Sequence, residues 1–251
     1  MKQLENKTAV ITGGNSGIGL ATVKRFKERG AKVLFTGRNP ETVAAVAKST
    51  GAIGLVSDQS DLKQIERLVK QTSEELGKVD ILFINAGTLV IIPFEQVTEE
   101  IYDQYMSINM KGFYFTLQKF LPILNDNAAV FFMSGSGTKT STFLGSSVKF
   151  AAAAAVNSMV RTLTLELAPR GIRINAVLPA AIDTDVLKHA GVPEQVIPQI
   201  NESVKASIPL KRMGKAEDVA NLVAFLASDE ASYINGVEYI IDGGLARKAV
   251  F

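Results

Sequence analysis

The sequence predicts an α/β protein with a doubly wound, seven-stranded parallel sheet and helices on both of its faces. Short apolar runs rich in β-branched residues alternate with amphipathic runs of helical length, an order typical of right-handed βαβ crossovers. A glycine-rich turn follows the first apolar run, and helical periodicity begins directly after it. No repeat, low-complexity linker or block of like charge divides the 251 residues, so we expect a single domain over residues 1–251.

Each predicted strand is a short, mostly apolar run of the kind that a buried parallel sheet requires. The seven runs cover residues 9–11, 32–35, 52–56, 81–84, 129–133, 172–177 and 237–241. Helical periodicity lies between them, near residues 17–29, 40–50, 61–76, 98–124, 149–168 and 215–228. Two stretches break the alternation: residues 134–148 are rich in Ser, Gly and Thr, and residues 180–214 hold three prolines. Ligands of such sheets bind beyond the carboxyl ends of the strands, so we expect function in these loops.

The absent and scarce residue types exclude several chemistries. The chain has no cysteine, which excludes disulfides, thiolate nucleophiles and iron–sulfur clusters, and its one histidine, His189, excludes multi-histidine metal sites. We therefore expect no metal site, and proton chemistry must rely mainly on carboxylates, lysine or tyrosine. The 27 basic and 25 acidic residues are interspersed, without the basic stripe that is typical of nucleic-acid binding.

Nothing in the sequence predicts export or membrane insertion. The first seven residues are polar where a secretory signal needs an apolar stretch. The longest apolar stretch, residues 79–94, is interrupted by Asp80, Asn85, Gly87 and Pro93, so it does not predict a membrane span. We expect a cytoplasmic protein that binds neither nucleic acid nor membrane.

The glycine-rich turn runs from Thr12 to Gly19 with the spacing Gly-x-x-x-Gly-x-Gly. Glycines allow a sharp turn and bring bare backbone close to a pyrophosphate, which the N-terminus of the following helix stabilises. The alternative is a tight turn that binds no ligand. The position between a predicted strand and a predicted helix favours a dinucleotide site, and its residues would be Gly13, Asn15, Ser16, Gly17, Ile18 and Gly19.

Further motifs follow the glycine turn in a recognisable order. Asn85, Ala86 and Gly87 end the fourth predicted strand, and Asn109 lies within the long helical run at 98–124. With the glycine turn, these residues resemble the short-chain dehydrogenase/reductase family, and the resemblance extends over the whole chain. It implies a Rossmann-type fold that binds a nicotinamide dinucleotide. It also implies that Asp58 contacts adenine and that Asn109 has a structural and catalytic role.

The resemblance continues after the sixth predicted strand. Pro179, Ile182 and Thr184 match the segment with which the family holds the nicotinamide, although Ala180 replaces its glycine. The family's layout implies that residues 180–214 cover a small-molecule substrate.

The residues after the second predicted strand bear on the choice of cofactor. A carboxylate there would hydrogen-bond the ribose 2′-hydroxyl and repel a 2′-phosphate, whereas arginine favours the phosphate. Here Arg38 follows the strand, and the first acid is Glu41. We therefore expect NADP(H) to be favoured over NAD(H). The alternative is that Arg38 is an exposed residue at the sheet edge.

The family's chemistry uses a serine that holds the substrate carbonyl, a tyrosine that passes the proton and a lysine four residues after the tyrosine. Ser136 follows the fifth predicted strand and matches the serine. The residues between 155 and 175 match the family without gaps, which places the tyrosine position at 149 and the lysine position at 153. These positions hold Lys149 and Ala153, so the Tyr-x-x-x-Lys motif is absent.

Lys149 is the candidate to replace the tyrosine. Its ammonium would reach the same carbonyl oxygen, and burial would lower its pKa, which allows acid, base or Schiff-base chemistry. The alternatives are that Lys149 points to solvent, or that it contacts the cofactor in place of the missing lysine. None of the five tyrosines has the required spacing, and we expect them in the core or at interfaces: Tyr102, Tyr105, Tyr114, Tyr233 and Tyr239.

Residues 151–155 are all alanine, which favours a helix that packs closely against a partner subunit. The resemblance implies a homo-oligomer, a tetramer or a dimer. The alternatives are that Ala153 enlarges the pocket beside the ribose, or that the site was altered deliberately.

An apolar substrate pocket is a weaker expectation. Under the family's layout it would be lined by Leu89, Val90, Ile91, Ile92, Phe143 and Leu144, which are otherwise ordinary core residues. We expect His189 at the surface, with a substrate contact as the alternative.

Two functions remain open from the sequence. The first is an NADP(H)-dependent reductase of a carbonyl or imine that uses Asn109, Ser136 and Lys149, with water in place of the tyrosine. The second is a protein that binds cofactor or ligand without hydride transfer, such as an inactive partner subunit, a binding protein or a non-redox catalyst. The intact glycine turn agrees with nucleotide binding in both cases.

Overall fold

Seven parallel strands form the central sheet of the structure, a computed structural model that describes residues 3–139 and 144–247. The strands of this sheet and of a second, two-stranded sheet are, in chain order, β1 (Thr8–Ile11), β2 (Lys32–Gly37), β3 (Ile53–Val56), β4 (Val79–Ile84), β5 (Leu124–Met133), β6 (Arg173–Pro179), β7 (Ile182–Asp183), β8 (Gly214–Lys215) and β9 (Glu238–Ile241). The central sheet has the order β3-β2-β1-β4-β5-β6-β9, while β7 and β8 form a separate pair. The predicted doubly wound, seven-stranded parallel sheet is thus confirmed. Its strand order reverses between β1 and β4, where such sheets bind ligands.

Helices cover both faces of the central sheet. They are α1 (Gly17–Glu28), α2 (Pro40–Thr50), α3 (Leu62–Leu76), α4 (Glu99–Met106), α5 (Gly112–Phe120), α6 (Ser147–Leu167), α7 (Val186–His189), α8 (Ile197–Ser207) and α9 (Ala216–Leu226). One core cluster combines side chains of α1, α2 and α9 with one face of the sheet, and a second combines α3, α5 and α6 with the other face. Because both faces are buried, the strands are almost continuously apolar, and this made them recognisable in the sequence.

Local hydrogen bonds define the ends of α2 and α3. The side chain of Asn39 accepts a hydrogen bond from the backbone N–H of Thr42 at the start of α2, and Pro40 occupies the first turn. Gly51 ends α2 in the left-handed conformation, with φ of 63°. Asp61 caps α3 by accepting from the N–H groups of Lys63 and Gln64.

The predicted helix over 98–124 is interrupted, which corrects the sequence interpretation. Between α4 and α5 lies a π-helical turn, Ser107–Lys111, in which the N–H of Gly112 bonds the carbonyl of Ser107 five residues earlier. The side-chain amide of Asn109 donates to the carbonyl of Tyr105 at 3.0 Å. This carbonyl is therefore satisfied by a side chain, and the turn widens by one residue.

Residues 180–214 form a small substructure beside the carboxyl end of β6. The strand pair β7–β8 joins its two ends, and α7 and α8 lie between them. A cavity of about 320 Å³ is lined by residues of this substructure, among them Thr184, Leu187 and Ile197. Within the described residues, no helix has both the length and the apolar character needed to cross a membrane.

Candidate dinucleotide and active site

The glycine turn between β1 and α1 brings bare backbone against the loop that follows β4. Gly13 has a φ of +66°, and a Cβ at this position would lie 2.8 Å from the Cα of Ala86. Only glycine fits both the conformation and the space. The N–H of Gly14 is held by the carbonyl of Thr36, which ties the turn to β2.

The N-terminus of α1 is suited to an anion. Its first turn carries no acidic residue, and the hydroxyl of Ser16 makes no capping hydrogen bond within the described part of the chain. The N–H groups of this turn therefore retain their capacity to bind a ligand, and the helix dipole favours a negative charge there. Gly17, Ile18 and Gly19 all lie in this turn, as predicted from the spacing.

Thr12 organises the loop opposite the glycine turn, although the sequence analysis did not single it out. Its hydroxyl oxygen accepts hydrogen bonds from the N–H groups of Asn85 and Ala86, both at 2.9 Å. The side-chain amide of Asn85 donates back to the carbonyl of Thr12 at 3.0 Å. Thr12 is 2% exposed, so its hydroxyl is shielded from water and ties the Asn85–Gly87 loop to the end of β1.

Asp58 and Gln59 follow β3 at the same edge of the sheet. The carboxylate of Asp58 accepts from the N–H and hydroxyl of Ser60 and remains half-buried. Gln59 is buried, and its amide donates to the carbonyl of Ala86 at 2.7 Å. The loop that carries Asp58 is thereby attached to the Asn85–Gly87 loop, a connection that the sequence did not indicate.

Arg38 lies directly beyond β2, as the sequence indicated. Its side chain is exposed, and no ion pair within residues 3–139 and 144–247 includes it. The side chain of Asn15, in the glycine turn, donates to the hydroxyl of Thr42 on α2 at 2.9 Å. This hydrogen bond joins the glycine turn to the start of α2, and its two residues lie before and after Arg38 in the chain.

Asn109 connects the π-helical turn to the loop after β4. Its side-chain oxygen accepts a hydrogen bond from the N–H of Thr88 at 3.1 Å. A Cβ at Gly87 would lie 2.7 Å from the same oxygen, so glycine is needed for this approach. The oxygen of the Asn109 amide thus binds the N–H of Thr88, and its nitrogen binds the carbonyl of Tyr105, so both atoms position backbone.

Ser136 begins a 3-10 turn after β5 and is 6% exposed. The next residue, Gly137, leaves no room for a Cβ because the ring of Phe150 occupies that space. The ammonium of Lys149 lies 5.1 Å from the centroid of the Phe150 ring, a favourable cation–π distance. The Ser136 turn, Phe150 and Lys149 are therefore packed together at the start of α6.

Lys149 is half-buried, and desolvation lowers its pKa below the usual lysine range. No carboxylate among the described residues forms an ion pair with it. Ala153 follows one turn later on α6 and is also half-buried. Lys149 thus lies neither in full solvent nor beside a neutralising acid.

A polar network lies behind the Ser136 turn and was not predicted. Asn157 of α6 accepts from the hydroxyl of Ser134 at 2.6 Å and donates to the hydroxyl of Thr138 at 3.1 Å. Its amide also donates to Glu238 of β9 at 3.0 Å. Glu238 forms ion pairs with Lys139 at 2.7 Å and Arg161 at 2.8 Å. The network connects both flanks of the turn to α6 and β9.

The segment after β6 returns to the glycine turn. Pro179 ends β6, and Ile182 is 8% exposed in β7. Thr184 faces the glycine turn closely enough that a Cβ at Gly17 would lie 3.5 Å from its methyl carbon. The structure therefore brings together residues that are 167 positions apart at one edge of the sheet.

The residues predicted to line an apolar pocket differ in their exposure to solvent. Leu89, Val90 and Ile92 are half-buried, whereas Ile91 is 48% exposed. Leu144 is 99% exposed, so its assignment to a pocket wall or to the core is wrong for this structure. Phe143 lies outside the described residues.

The remaining titratable candidates lie away from the Ser136 turn or are poorly suited to proton transfer. His189 is exposed on α7. Tyr105 is 5% exposed and packs with Val148 and Ala152, and burial raises the pKa of its hydroxyl. A phenol with a raised pKa is a poorer acid. No group of three or more His, Asp or Glu side chains suited to a metal ion occurs in the described part of the chain.

Comparison with known proteins agrees with this arrangement. A family model described as enoyl-(acyl carrier protein) reductase matches residues 13–246. A structure from Brucella melitensis described as a short-chain dehydrogenase/reductase superposes with a TM-score of 0.91 at 30% identity, covering 99% of this chain and 100% of that one. The chain belongs to the short-chain dehydrogenase/reductase family.

Two further members of the family illustrate its range. The oxidoreductase asL5 of Sarocladium schorii is 36% identical over 250 residues, with 98% of both chains covered. A short-chain dehydrogenase of Burkholderia cenocepacia, solved in complex with NADP, has a TM-score of 0.88 at 29% identity and covers 97% of this chain and 99% of its own. The homologues are oxidoreductases with Rossmann-type folds.

The described residues fit the nicotinamide dinucleotide that the family implies. The α1 N-terminus offers N–H groups for a pyrophosphate, and the backbone of Gly13, which has no side chain, lies directly against the Asn85–Gly87 loop. Asp58, the Asn85–Gly87 loop and Thr184 surround the crevice where the strand order reverses.

Proposed function

We propose that this protein is an NADP(H)-dependent reductase of a carbonyl or imine substrate in which Lys149 takes the part of the family's tyrosine. The observation that carries the proposal is the position of Lys149. It is half-buried, has a lowered pKa and packs through Phe150 against the turn that holds Ser136. An amine of this kind loses its proton more readily than an exposed lysine.

The cofactor would be held by residues from four loops at the carboxyl edge of the sheet. The glycine turn would bind the pyrophosphate, Asp58 the adenine, and Asn85, Ala86 and Gly87 the neighbouring ribose. Pro179, Ile182 and Thr184 would hold the nicotinamide side. The bound reduced nicotinamide supplies the hydride for the substrate.

Arg38 supports NADP(H) over NAD(H). Its guanidinium is exposed next to the end of β2 and makes no ion pair within the described residues. A 2′-phosphate would provide a charge-assisted, bidentate partner, which a ribose hydroxyl does not. The NADP complex of the Burkholderia cenocepacia relative agrees with this choice.

The substrate oxygen or nitrogen would be held between Ser136 and Lys149. The Ser136 hydroxyl donates a hydrogen bond to it, and the Lys149 ammonium donates a second bond and then the proton, with water restoring it. The positive charge of Lys149 repels an oxidised nicotinamide more than the neutral reduced ring, which favours the direction of reduction. An iminium substrate already carries a charge and therefore needs less acid catalysis.

The surroundings support a small, partly apolar substrate. Leu89, Val90 and Ile92 follow the Asn85–Gly87 loop and are half-buried, and residues 180–214 would cover the ligand from the other side. We also propose a homo-oligomer, a tetramer or a dimer. Tyr102, Tyr114 and Leu165 are 44%, 43% and 77% exposed on the helices that would carry the contact.

The second candidate is a protein that binds the dinucleotide without transferring hydride. Ala153 favours it, because its methyl group provides neither the ribose contact nor the positive charge of the family's lysine. The network around Asn157 positions the Ser136 turn in either case.

The experiment measures binding and turnover on the same preparation. NADPH and NADH are titrated by fluorescence, and NADPH oxidation is then followed with a panel of aldehydes, ketones and cyclic imines. The reductase predicts tighter binding of NADPH and oxidation with at least one substrate. Tighter binding of NADH would reject the cofactor assignment, and binding without turnover across the panel would favour the second candidate.

Two variants test the role of Lys149. Lys149→Ala should lose most of the reductase activity while keeping its NADPH affinity. Full activity in this variant would remove Lys149 from the mechanism. The double variant Lys149→Tyr with Ala153→Lys should increase carbonyl reduction, because it supplies both groups of the family's motif.

A further inference from the structure

Lys149 has the properties of a nucleophilic amine as well as those of an acid. Its aliphatic stem and ammonium are partly withdrawn from water, and the face of the Phe150 ring lies 5.1 Å away. No ion pair in the described part of the chain neutralises or stabilises its charge. The ring contact favours the ammonium, whereas desolvation without a carboxylate partner lowers the pKa of Lys149 and so increases the fraction of neutral amine, the form that attacks carbonyl carbon.

Two features near Lys149 suit a bound carbonyl group: a short neighbour on α6 and a hydroxyl donor in the Ser136 turn. Ala153, one turn further along α6, ends at its methyl group, while the ring of Phe150 fills the space beside Gly137. The hydroxyl of Ser136 is a donor for the oxygen of a bound aldehyde or ketone. The Phe150 ring, packed on Gly137, restricts where the lysine stem can lie.

We propose that Lys149 forms a covalent imine with small aldehydes or ketones bound beside Ser136. This activity goes beyond the proposed reduction and needs no nucleotide. The neutral amine adds to the carbonyl carbon, which forms the N–C bond, and a proton moves from nitrogen to oxygen to give a carbinolamine. Loss of water then breaks the C–O bond and leaves the protonated imine. Nothing is oxidised or reduced, and water is the only product released.

The imine would make this site a carbonyl-activating one. A protonated imine withdraws electrons from the adjacent carbon more strongly than the parent carbonyl does. A ligand attached in this way is therefore prepared for non-redox chemistry at that carbon. Hydrolysis returns both the carbonyl compound and the free lysine.

Reductive trapping tests the imine without nucleotide. The full chain is incubated near neutral pH with limiting benzaldehyde and sodium cyanoborohydride, which converts an imine to a stable benzylamine. Peptide mass spectrometry then measures the rate of benzyl incorporation at each lysine. The exposed Lys70 of α3 is the internal comparison. We expect Lys149 to be labelled at least about tenfold faster than Lys70, because burial of Lys149 increases the fraction of its amine that is neutral.

Variants separate a specific imine from general surface labelling. Lys149→Arg keeps the charge and length but cannot form an imine, so the fast phase should disappear while the other lysines react unchanged. Lys70→Met should leave the fast phase intact. Circular dichroism and the thermal midpoint show whether each variant is folded.

The labelling results test the imine separately from the proposed reductase activity. Labelling of Lys149 at or below the rate of Lys70, or a fast phase that survives Lys149→Arg, overturns the imine. If Lys149 traps benzaldehyde rapidly but NADPH is never oxidised, the reductase fails and the imine stands. If NADPH is oxidised but no adduct forms at Lys149, the reductase stands and the imine fails.

Discussion

The ring of Phe150 occupies the space that a Cβ of Gly137 would need. Gly137 precedes residues 140–143 in the chain and Phe150 follows them, and the contact between the two places the first turn of α6 against the turn that begins at Ser136. Lys149 precedes Phe150 and lies over its ring. The distance between the candidate acid and the candidate serine therefore depends on a glycine that carries no chemistry itself.

Replacing Gly137 tests this packing. Gly137→Ala should destabilise the protein by about 1–3 kcal/mol, because the added methyl group displaces a well-packed ring. Urea denaturation measures the change. Gly135→Ala is the matched control, since a Cβ there would lie 3.6 Å from Phe150 and the φ of −149° suits alanine. It should leave stability unchanged or raise it by up to about 1 kcal/mol. Equal destabilisation by both variants would contradict the packing.

Thr12 is expected to matter for stability and for nucleotide binding together. Thr12→Val removes the oxygen that accepts two backbone N–H groups and leaves both partly buried groups without this partner. We expect a loss of about 2–4 kcal/mol in the free energy of unfolding, since each unsatisfied donor costs about 1–3 kcal/mol. NADPH affinity should fall as well, because the Asn85–Gly87 loop loses its anchor. Thr12→Ser keeps the hydroxyl and should preserve both properties. Unchanged unfolding of Thr12→Val would show that the loop is held by other contacts.

Arg38 is expected to discriminate between the two nucleotides. Arg38→Ala should weaken NADPH binding about 10- to 100-fold, because a charge-assisted hydrogen bond contributes about 1.5–3 kcal/mol. NADH binding should change by less than about twofold. Lys48→Ala removes a different exposed cation of the neighbouring α2 and controls for a general loss of positive charge. Isothermal titration with both nucleotides makes the comparison. An equal loss for NADPH and NADH would mean that Arg38 does not read the 2′-phosphate.

The strands were predictable because burial on both faces of a parallel sheet demands continuous apolar runs. The run at 81–84, for example, lies within β4, Val79–Ile84. The break at Ser107–Lys111 was not predictable, because the side chain of Asn109 bonds Tyr105 one turn earlier and Thr88 in a different loop. A periodicity argument considers one helix at a time and therefore misses such a contact.

Some residues of the candidate site were likewise predictable from the sequence, and others were not. The glycine turn could be found because phosphate binding requires glycine at fixed spacing. Phe150 belongs to no motif of the sequence analysis, and its contact with Gly137 joins positions 13 residues apart that no periodicity relates. Asn157 and Glu238 are 81 positions apart, and no local pattern connects them. Residues that position other residues leave little signal in the sequence, because their chemistry is that of any buried polar side chain.

Glu238 is expected to be the main support of the polar network behind the Ser136 turn. Its side chain is 12% exposed and accepts from Asn157, Lys139 and Arg161. Glu238→Ala should cost about 2–3 kcal/mol, because it leaves one donor of the buried Asn157 amide unpaired and breaks two ion pairs, whereas Glu238→Gln should cost about 1 kcal/mol. Glu202→Ala breaks an exposed pair with Lys205 and should cost less than about 0.5 kcal/mol. Urea midpoints of the three variants give the ranking. A loss for Glu202→Ala as large as that for Glu238→Ala would contradict the importance of burial.

Lys149 is expected to reduce the stability of the fold in a pH-dependent way. Burial lowers its pKa in the folded state, so between that lowered pKa and the ordinary value of 10.5 the unfolded chain binds more protons than the folded one. The destabilisation that Lys149 causes therefore becomes smaller as the pH rises across that window. Lys149→Met lacks the charge and should be more stable than the parent protein near neutral pH.

The difference in the free energy of unfolding between Lys149→Met and the parent should decrease as the pH rises through the lowered pKa of Lys149. Above about 10.5 its pH-dependent part should vanish, because the lysine is then neutral in both the folded and the unfolded protein. Urea denaturation of both proteins at a series of pH values measures it. The other titrating groups are common to the pair and cancel in the difference. Lys70→Met, which removes an exposed lysine of α3, is the matched control. A constant difference between Lys149→Met and the parent would mean that the Lys149 amine is as well hydrated in the folded protein as in the unfolded chain.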